Sequence, residues 1–339
     1  MSANNPGRAD WRQEGAGLVV GFALLALLPL GFGDSYSRHI LIMSFIYAIV
    51  ASNWDLSLGY GGVFNFGHIA LFGIGVYAYG LLAKVADLDP WLSMAGAGFV
   101  ATIAAALVTI PILRLKGLYI ILVTFGFAQL VMQVILSQSA FTGGTQGMVR
   151  IPPLYLGEHN MIRDGKIGYF YIALALLAAS TVFLRIFVRS RTGASIVALR
   201  DNEEYAISRG VSLARQRLIT LTASAFFTGL AGGFYAAYER NASVEVFSMS
   251  LSTTILSMVL LGGASTIYGA IVASFVLTVF SEVVADFGPF RPMIIALVII
   301  GVMLAYPSGL VGLLRAAWSR GRRRLSRTPP RFAARQAPR

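Results

Sequence analysis

Apolar blocks, most of them about 17 to 23 residues long and largely free of charge, recur along almost the whole of this sequence. A hydrocarbon layer about 30 Å thick is crossed by about 20 helical residues, so blocks of this length are read as membrane spans. Broken at charges, prolines and glycines, they number ten: 16–32, 40–57, 64–84, 91–113, 118–136, 168–188, 218–238, 251–263, 266–285 and 293–312. Of the 339 residues, 56% are hydrophobic and 12% charged, against roughly 25% charged in an ordinary soluble domain. This composition excludes a water-soluble globule. It predicts an all-α, polytopic membrane protein of about ten transmembrane helices, spanning 16–314.

Ten spans divide into five and five, and an odd-numbered unit repeated once is inverted in the membrane, so a five-helix inverted repeat is a candidate organisation. Two joins, Gly59–Tyr60–Gly61–Gly62 and Gly262–Gly263–Ala264–Ser265, carry no charge and fall just before the third and ninth spans. They are either exposed loops or hinges inside the membrane, and in the second case some spans are broken or re-entrant. The block at 16–32 follows a segment without a distinct positive bias (Arg8, Asp10, Arg12, Glu14) and is longer than the core of a typical signal peptide, so it is expected to be retained as a helix.

The net charge of +12 comes mainly from nine arginines between Arg315 and Arg339; without them 18 basic residues face 15 acidic ones. A basic tail beside a membrane helix fits a cytoplasmic face and its anionic lipids, and no nucleic-acid partner is expected. With the N-terminus inside, the inner segments hold 19 Lys and Arg and the outer segments seven, which puts both termini in the cytoplasm. The extramembrane pieces are then residues 1–15, an outer loop at 137–167, an inner loop at 189–217, and the tail 315–339, expected to be disordered. The chain has no cysteine, and His39, His68 and His159 fall in no ligand spacing, so disulfides, thiol chemistry and a metal site are not expected.

Within the spans, Asp55, Glu282 and His68 are the main groups able to do acid–base work. Ion coupling usually needs several converging polar groups, so Asp55 and Glu282 read more simply as residues at headgroups or helix ends. The glycines from Gly59 to Gly80 are explained by close helix packing, although a glycine-broken helix can also present backbone amides to a solute. Asn65 and His68 on the same stretch either bond backbone groups to hold the break or touch solute, and the first is favoured because buried polar groups are usually satisfied structurally. The stretch from Gly59 through Tyr77 is expected beside the translocation path, at the interface with a partner.

In the inner loop, Asp201 followed by Glu204 resembles a capping-box start and Gly210 a left-handed stop, which predicts a short helix over 202–209. Ser212 can cap the next helix.

The spacing Glu204–x–Ala206–x–x–x–Gly210 resembles the EAA coupling loop of ABC-importer permeases. The segment Asn53–x5–Gly59–Tyr60–Gly61–Gly62–x4–Gly67–His68–x3–Phe72–x2–Gly75–Val76–Tyr77 is similar to the signature of the LivM-type branched-chain amino acid permeases. Arg114 to Tyr119, Thr124 to Phe127, Thr142 to Gly147, Ala198 to Arg200 and Ala223 to Ala236 resemble the same family in the same order. Asn65 stands where that family usually has Ser, Val76 where it usually has Ala, and Tyr205 where the first alanine of the coupling pattern falls.

The resemblance implies a non-catalytic subunit of an ATP-driven importer in a bacterial inner membrane. Its expected partners are a second permease of LivH type, two ATP-binding subunits of LivG and LivF type that hold ATP and magnesium, and a periplasmic or extracytoplasmic solute-binding protein. Arg200, Asp201, Glu203, Glu204, Ala206 and Gly210 would couple to the ATPases; Asn53, Gly59, Gly61, Gly62, Asn65, Gly67, His68 and Tyr77 would form the path or its hinge. No cofactor is expected on this chain, which lacks a Gly-x4-Gly-Lys-Ser/Thr phosphate loop. The implied solute is a branched-chain or other hydrophobic amino acid. The alternatives are urea or a short amide on the same scaffold, or an ion-coupled secondary transporter using Asp55 and Glu282. A membrane-embedded enzyme has least support, for lack of clustered acids, bases or ligands.

Overall fold

The computed structural model describes residues 11–31, 34–155, 166–305 and 309, and each of the ten hydropathy blocks falls on a helix. The helices are α1 (Trp11–Gly31), α2 (Ser35–Asp55), α3 (Gly67–Gly80), α4 (Pro90–Ile112), α5 (Leu118–Ser137), the short α6 (Ser139–Thr142), α7 (Ile167–Arg189), α8 (Arg191–Asp201), α9 (Glu203–Ser208), α10 (Leu213–Glu239), α11 (Met249–Gly262), α12 (Ile267–Val283) and α13 (Arg291–Ala305). The chain is an all-α, multi-pass membrane protein. Among the described residues six helical stretches are long and apolar enough to cross a bilayer: Ser35–Tyr60, Gly67–Val85, Pro90–Ile112, Leu118–Ser137, Ile167–Arg189 and Leu213–Glu239. The remaining apolar stretches are shorter: Gly17–Pro29 within α1, Met293–Leu304 within α13, and α11 and α12 on either side of the second glycine join.

Local sequence sets the helix ends. Asp34 accepts from the Ser37 amide to open α2, and Asp89 accepts from Trp91 and Leu92, with Pro90 in the first turn of α4, where its missing N–H costs nothing. Two π-helical turns, Leu56–Tyr60 and Leu81–Val85, extend α2 and α3.

The core is built on α2, α3 and α10. Lipid is as apolar as leucine, so these helices are held by close packing and hydroxyl bonds rather than by water exclusion. A Cβ on Gly75 would strike the Gly229 carbonyl and one on Gly232 the Phe72 carbonyl, so α3 and α10 touch through their backbones. Trp54, Phe45, Phe72, Phe170 and Phe234 fill the surrounding volume and are fully buried.

Met148–Val149 (β1) pairs antiparallel with Asn241–Ala242 (β2), stitching the 137–167 loop to the end of α10. The expected N-terminal segment 1–15 lies outside the described residues as far as residue 10, and the tail 315–339 and His159 lie wholly outside them.

Candidate functional site

The two uncharged glycine joins, 204 positions apart in their glycines at 59 and 263, meet in the fold at one arginine of the 189–217 loop. Arg200, near the end of α8, donates through Nη1 to the Gly59 carbonyl (2.9 Å) and to Ser265 Oγ (2.7 Å). Ser265 in turn donates its hydroxyl to the Gly59 carbonyl (2.8 Å) and its backbone N–H to Asp55 Oδ1 (2.8 Å). Asp55 is fully buried at the last position of α2. It is the helix-end residue the sequence allowed, here tied to the second join in the interior and away from headgroups.

Glycine is demanded at this junction by space. A Cβ on Gly59 would overlap Asp55 Oδ1 and the Ser265 amide nitrogen. Gly62 has φ +65°, and a Cβ there would come within 2.6 Å of Arg200 Cγ. The second join turns between α11 and α12, where Gly262 and Gly269 leave no room for a side chain between their backbones.

The inner loop is braced separately. Glu203, the first residue of α9, pairs with Lys116 (3.0 Å) and Arg217 (3.4 Å), and Arg217 donates to the carbonyls of Ile112 (3.2 Å) and Leu115 (3.1 Å). One carboxylate thus links α9, the α4–α5 turn and α10. Between this brace and the first glycine join lies a cavity of about 260 Å³, with Ser57, Gly61, Gly62, Lys116, Arg200 and Glu203 in its walls.

The helix predicted over 202–209 is found at Glu203–Ser208, but its cap is Asn202, whose Oδ1 accepts from the Tyr205 amide (2.9 Å). Asp201 does not cap it: its carboxylate is held by Arg200 through Nε and Nη2 (2.9 and 2.8 Å). Ala206 is buried, Gly210 has φ +86°, and Ser212 accepts from the Arg215 amide to cap α10. Glu204, Tyr205, Ile207 and Arg209 are exposed.

Most of the stretch expected beside the path packs inside this subunit, with Gly62 and Phe64 exposed. Asn65, His68 and Asn53 are fully buried, and Tyr77 nearly so. Asn65 Nδ2 donates to Ser57 Oγ (3.2 Å) and the Val63 carbonyl (3.1 Å), and Trp54 Nε1 donates to the Asn65 carbonyl (2.9 Å). His68 lies between Asn65 Oδ1 (3.1 Å) and Ser224 Oγ (3.0 Å) with its ring stacked on Trp54. Asn53 donates to the Ile49 carbonyl and Ser180 Oγ, bridging α2 to α7. Gly67 opens α3 against Thr124 of α5. These groups hold the break together.

Sequence reasoning passed over Ser265 and Arg217. The first sat in a join already marked by its glycines; the second was one of two arginines, with Arg215, at the head of an apolar helix.

The family of branched-chain amino acid transport system permease components matches residues 37–306. The chain is 30% identical to the high-affinity branched-chain amino acid transport system permease protein LivM of Salmonella typhimurium, over 86% of its own length and 75% of that protein's. It is 29% identical to the LivM protein of Escherichia coli over the same shares. No solved structure matches. Carrying this match across almost all of its membrane part, the chain belongs to the branched-chain amino acid transport system permease family, as a transport subunit.

Proposed function

We propose that this permease is one of two membrane subunits of an ATP-driven importer for branched-chain or other hydrophobic amino acids, working with a second permease, two ATPase subunits and an extracytoplasmic binding protein in a bacterial inner membrane. Both termini are then cytoplasmic, and α8 and α9 face the ATPases. The observation that carries the reading is the junction at Arg200. A loop able to dock on a partner through Glu204, Tyr205 and Ile207 is tied by one side chain to both glycine breaks of the membrane part. Movement of the loop therefore has a direct route to the hinges. ATP binding and hydrolysis, with magnesium, belong to the partner subunits in this reading.

The second permease is assigned to the face of α5. Gln133 is exposed there among Leu130 and Val134, and a polar group left facing hydrocarbon is costly.

The test is the energy source. In proteoliposomes holding the whole complex, leucine uptake should persist when proton and sodium gradients are collapsed and stop when ATP is removed. Uptake by this chain alone, driven by an ion gradient and lost in Asp55→Asn, would establish a secondary transporter instead.

A further inference from the structure

We propose that the cleft bounded by α2, α11, α12 and α13 is a binding site for a zwitterion with an aliphatic side chain, its ammonium at Glu282 and its carboxylate at Arg291. This rests on the reading of the chain as an amino acid permease and adds where in this subunit the solute is held.

The cleft encloses about 800 Å³ and lies on the side of the molecule away from Arg200, at the opposite ends of α2 and α12. One wall is polar at helical spacing. Ser250, Thr253, Thr254 and Ser257 stand at i, i+3, i+4 and i+7 on α11, a single face, and all four line the cleft. Thr253, Thr254 and Ser257 donate to carbonyls one turn back (2.9, 2.8 and 2.7 Å), which leaves their oxygens as acceptors toward the cavity. On α12, Thr278, Ser281 and Glu282 share a second face by the same spacing, and Arg291 opens α13 beside them.

The charged pair at the rim is loose. Glu282 Oε2 and Arg291 Nη2 are 3.5 Å apart and both side chains keep about a third of their surface, while Tyr36 donates to the other Glu282 oxygen and Ser281 accepts from Arg291 (2.7 Å). An amine and a carboxylate from one ligand can each take over one partner of such a pair. Asn241 Oδ1 and Thr278 Oγ1, both in the lining, are buried without a hydrogen-bond partner among the described residues. Buried polar atoms are seldom left so, and a bound ammonium supplies the missing donors. Met43, Leu277, Ile295 and Ile299 are among its apolar residues, suited to an aliphatic side chain.

The headgroup of phosphatidylethanolamine offers the same ammonium and anion above its acyl chains, so the experiment separates free solute from lipid. The probe is leucine, with the whole complex and its binding protein in proteoliposomes. Glu282→Gln and the double variant Thr254→Val with Ser257→Ala should each lower leucine uptake about tenfold, the loss of roughly one polar contact, while ATP hydrolysis stimulated by the binding protein is retained. In Ser257→Cys, leucine should slow modification by a cationic, water-soluble thiol reagent; the chain has no other cysteine. Unchanged uptake in both variants, with thiol modification indifferent to leucine, overturns the proposal. Phosphatidylethanolamine retained through detergent washing by the parent but not by Glu282→Gln, with uptake unchanged, assigns the cleft to lipid and overturns it equally. A parent complex that takes up no amino acid tells against the functional reading instead, and the thiol-protection arm, which needs no transport, still decides the cleft.

Discussion

Arg200 Nη1 donates to the carbonyl oxygen of Gly59 across 2.9 Å, joining the end of α8 to the π-helical turn that closes α2. The same nitrogen reaches Ser265, so both glycine joins are attached to the inner loop at one point.

Arg200→Ala should therefore disconnect the loop from the membrane part without dismantling either. Hydrogen bonds to charged groups contribute about 1.5–3 kcal/mol each, so ATP-driven leucine uptake should fall tenfold or more while ATP hydrolysis continues. Arg200→Lys keeps the charge but not the planar fork and should give an intermediate loss. Equal, full uptake in both variants, measured in proteoliposomes, would remove Arg200 from coupling.

The junction is also tight enough for a steric test. Gly59→Ala and Gly262→Ala each set a methyl against backbone or a buried carboxyl, and overpacking of this kind typically costs about 1–3 kcal/mol. Gly21→Ala and Gly301→Ala meet nothing within 4 Å and should be neutral. Thermal unfolding of the purified complex, followed by tryptophan fluorescence, should separate the two pairs.

Gly210 tests the loop alone. Its φ of +86° is strained for any residue with a Cβ, although nothing crowds it, and a left-handed residue costs roughly 1–2 kcal/mol outside glycine and asparagine. Gly210→Val should reduce coupled uptake with insertion intact, and Gly210→Asn should restore most of it. Glu204→Ala, which removes an exposed carboxylate that no cap uses, should act only through ATPase docking and weaken co-purification of the ATPase subunits.

Cysteine labelling should distinguish the glycine break from a pore wall. At 65 and 68 the side chains are fully buried and engaged with Trp54, Ser57 and Ser224, so Asn65→Cys and His68→Cys should stay unreactive in every nucleotide state. Gly61 borders the inner cavity, and Gly61→Cys should react with small water-soluble reagents from the loop side. Rapid labelling at 65 and 68 that follows ATP would return the stretch to the path.

The helices were legible because each needs a long uncharged run, and hydropathy reads that run directly. The breaks were legible for a related reason: glycines without a charge inside apolar sequence have few structural explanations. Their meeting was not. Ser265 and Arg200 lie 65 positions apart, and both lie far from Gly59; only tertiary packing brings them together. The cap at Asn202 was misread as Asp201 because both side chains can cap, and the competing claim of Arg200 on Asp201 appears only when its guanidinium is placed. The placement of 59–77 beside the path rested on glycine spacing, which registers closeness between helices and does not distinguish a neighbour in the same subunit from one in another.

The pairing of Met148 with Ala242 fastens the outer loop to one end of α10, and Arg217 near the other end grips the Glu203 brace. Both ends belong to α10, 27 residues of helix without a proline or a π turn, a strut of about 40 Å at 1.5 Å per residue. Such a strut bends little over that length. A load on the 137–167 loop and a load on α9 therefore bear on opposite ends of one unbroken helix.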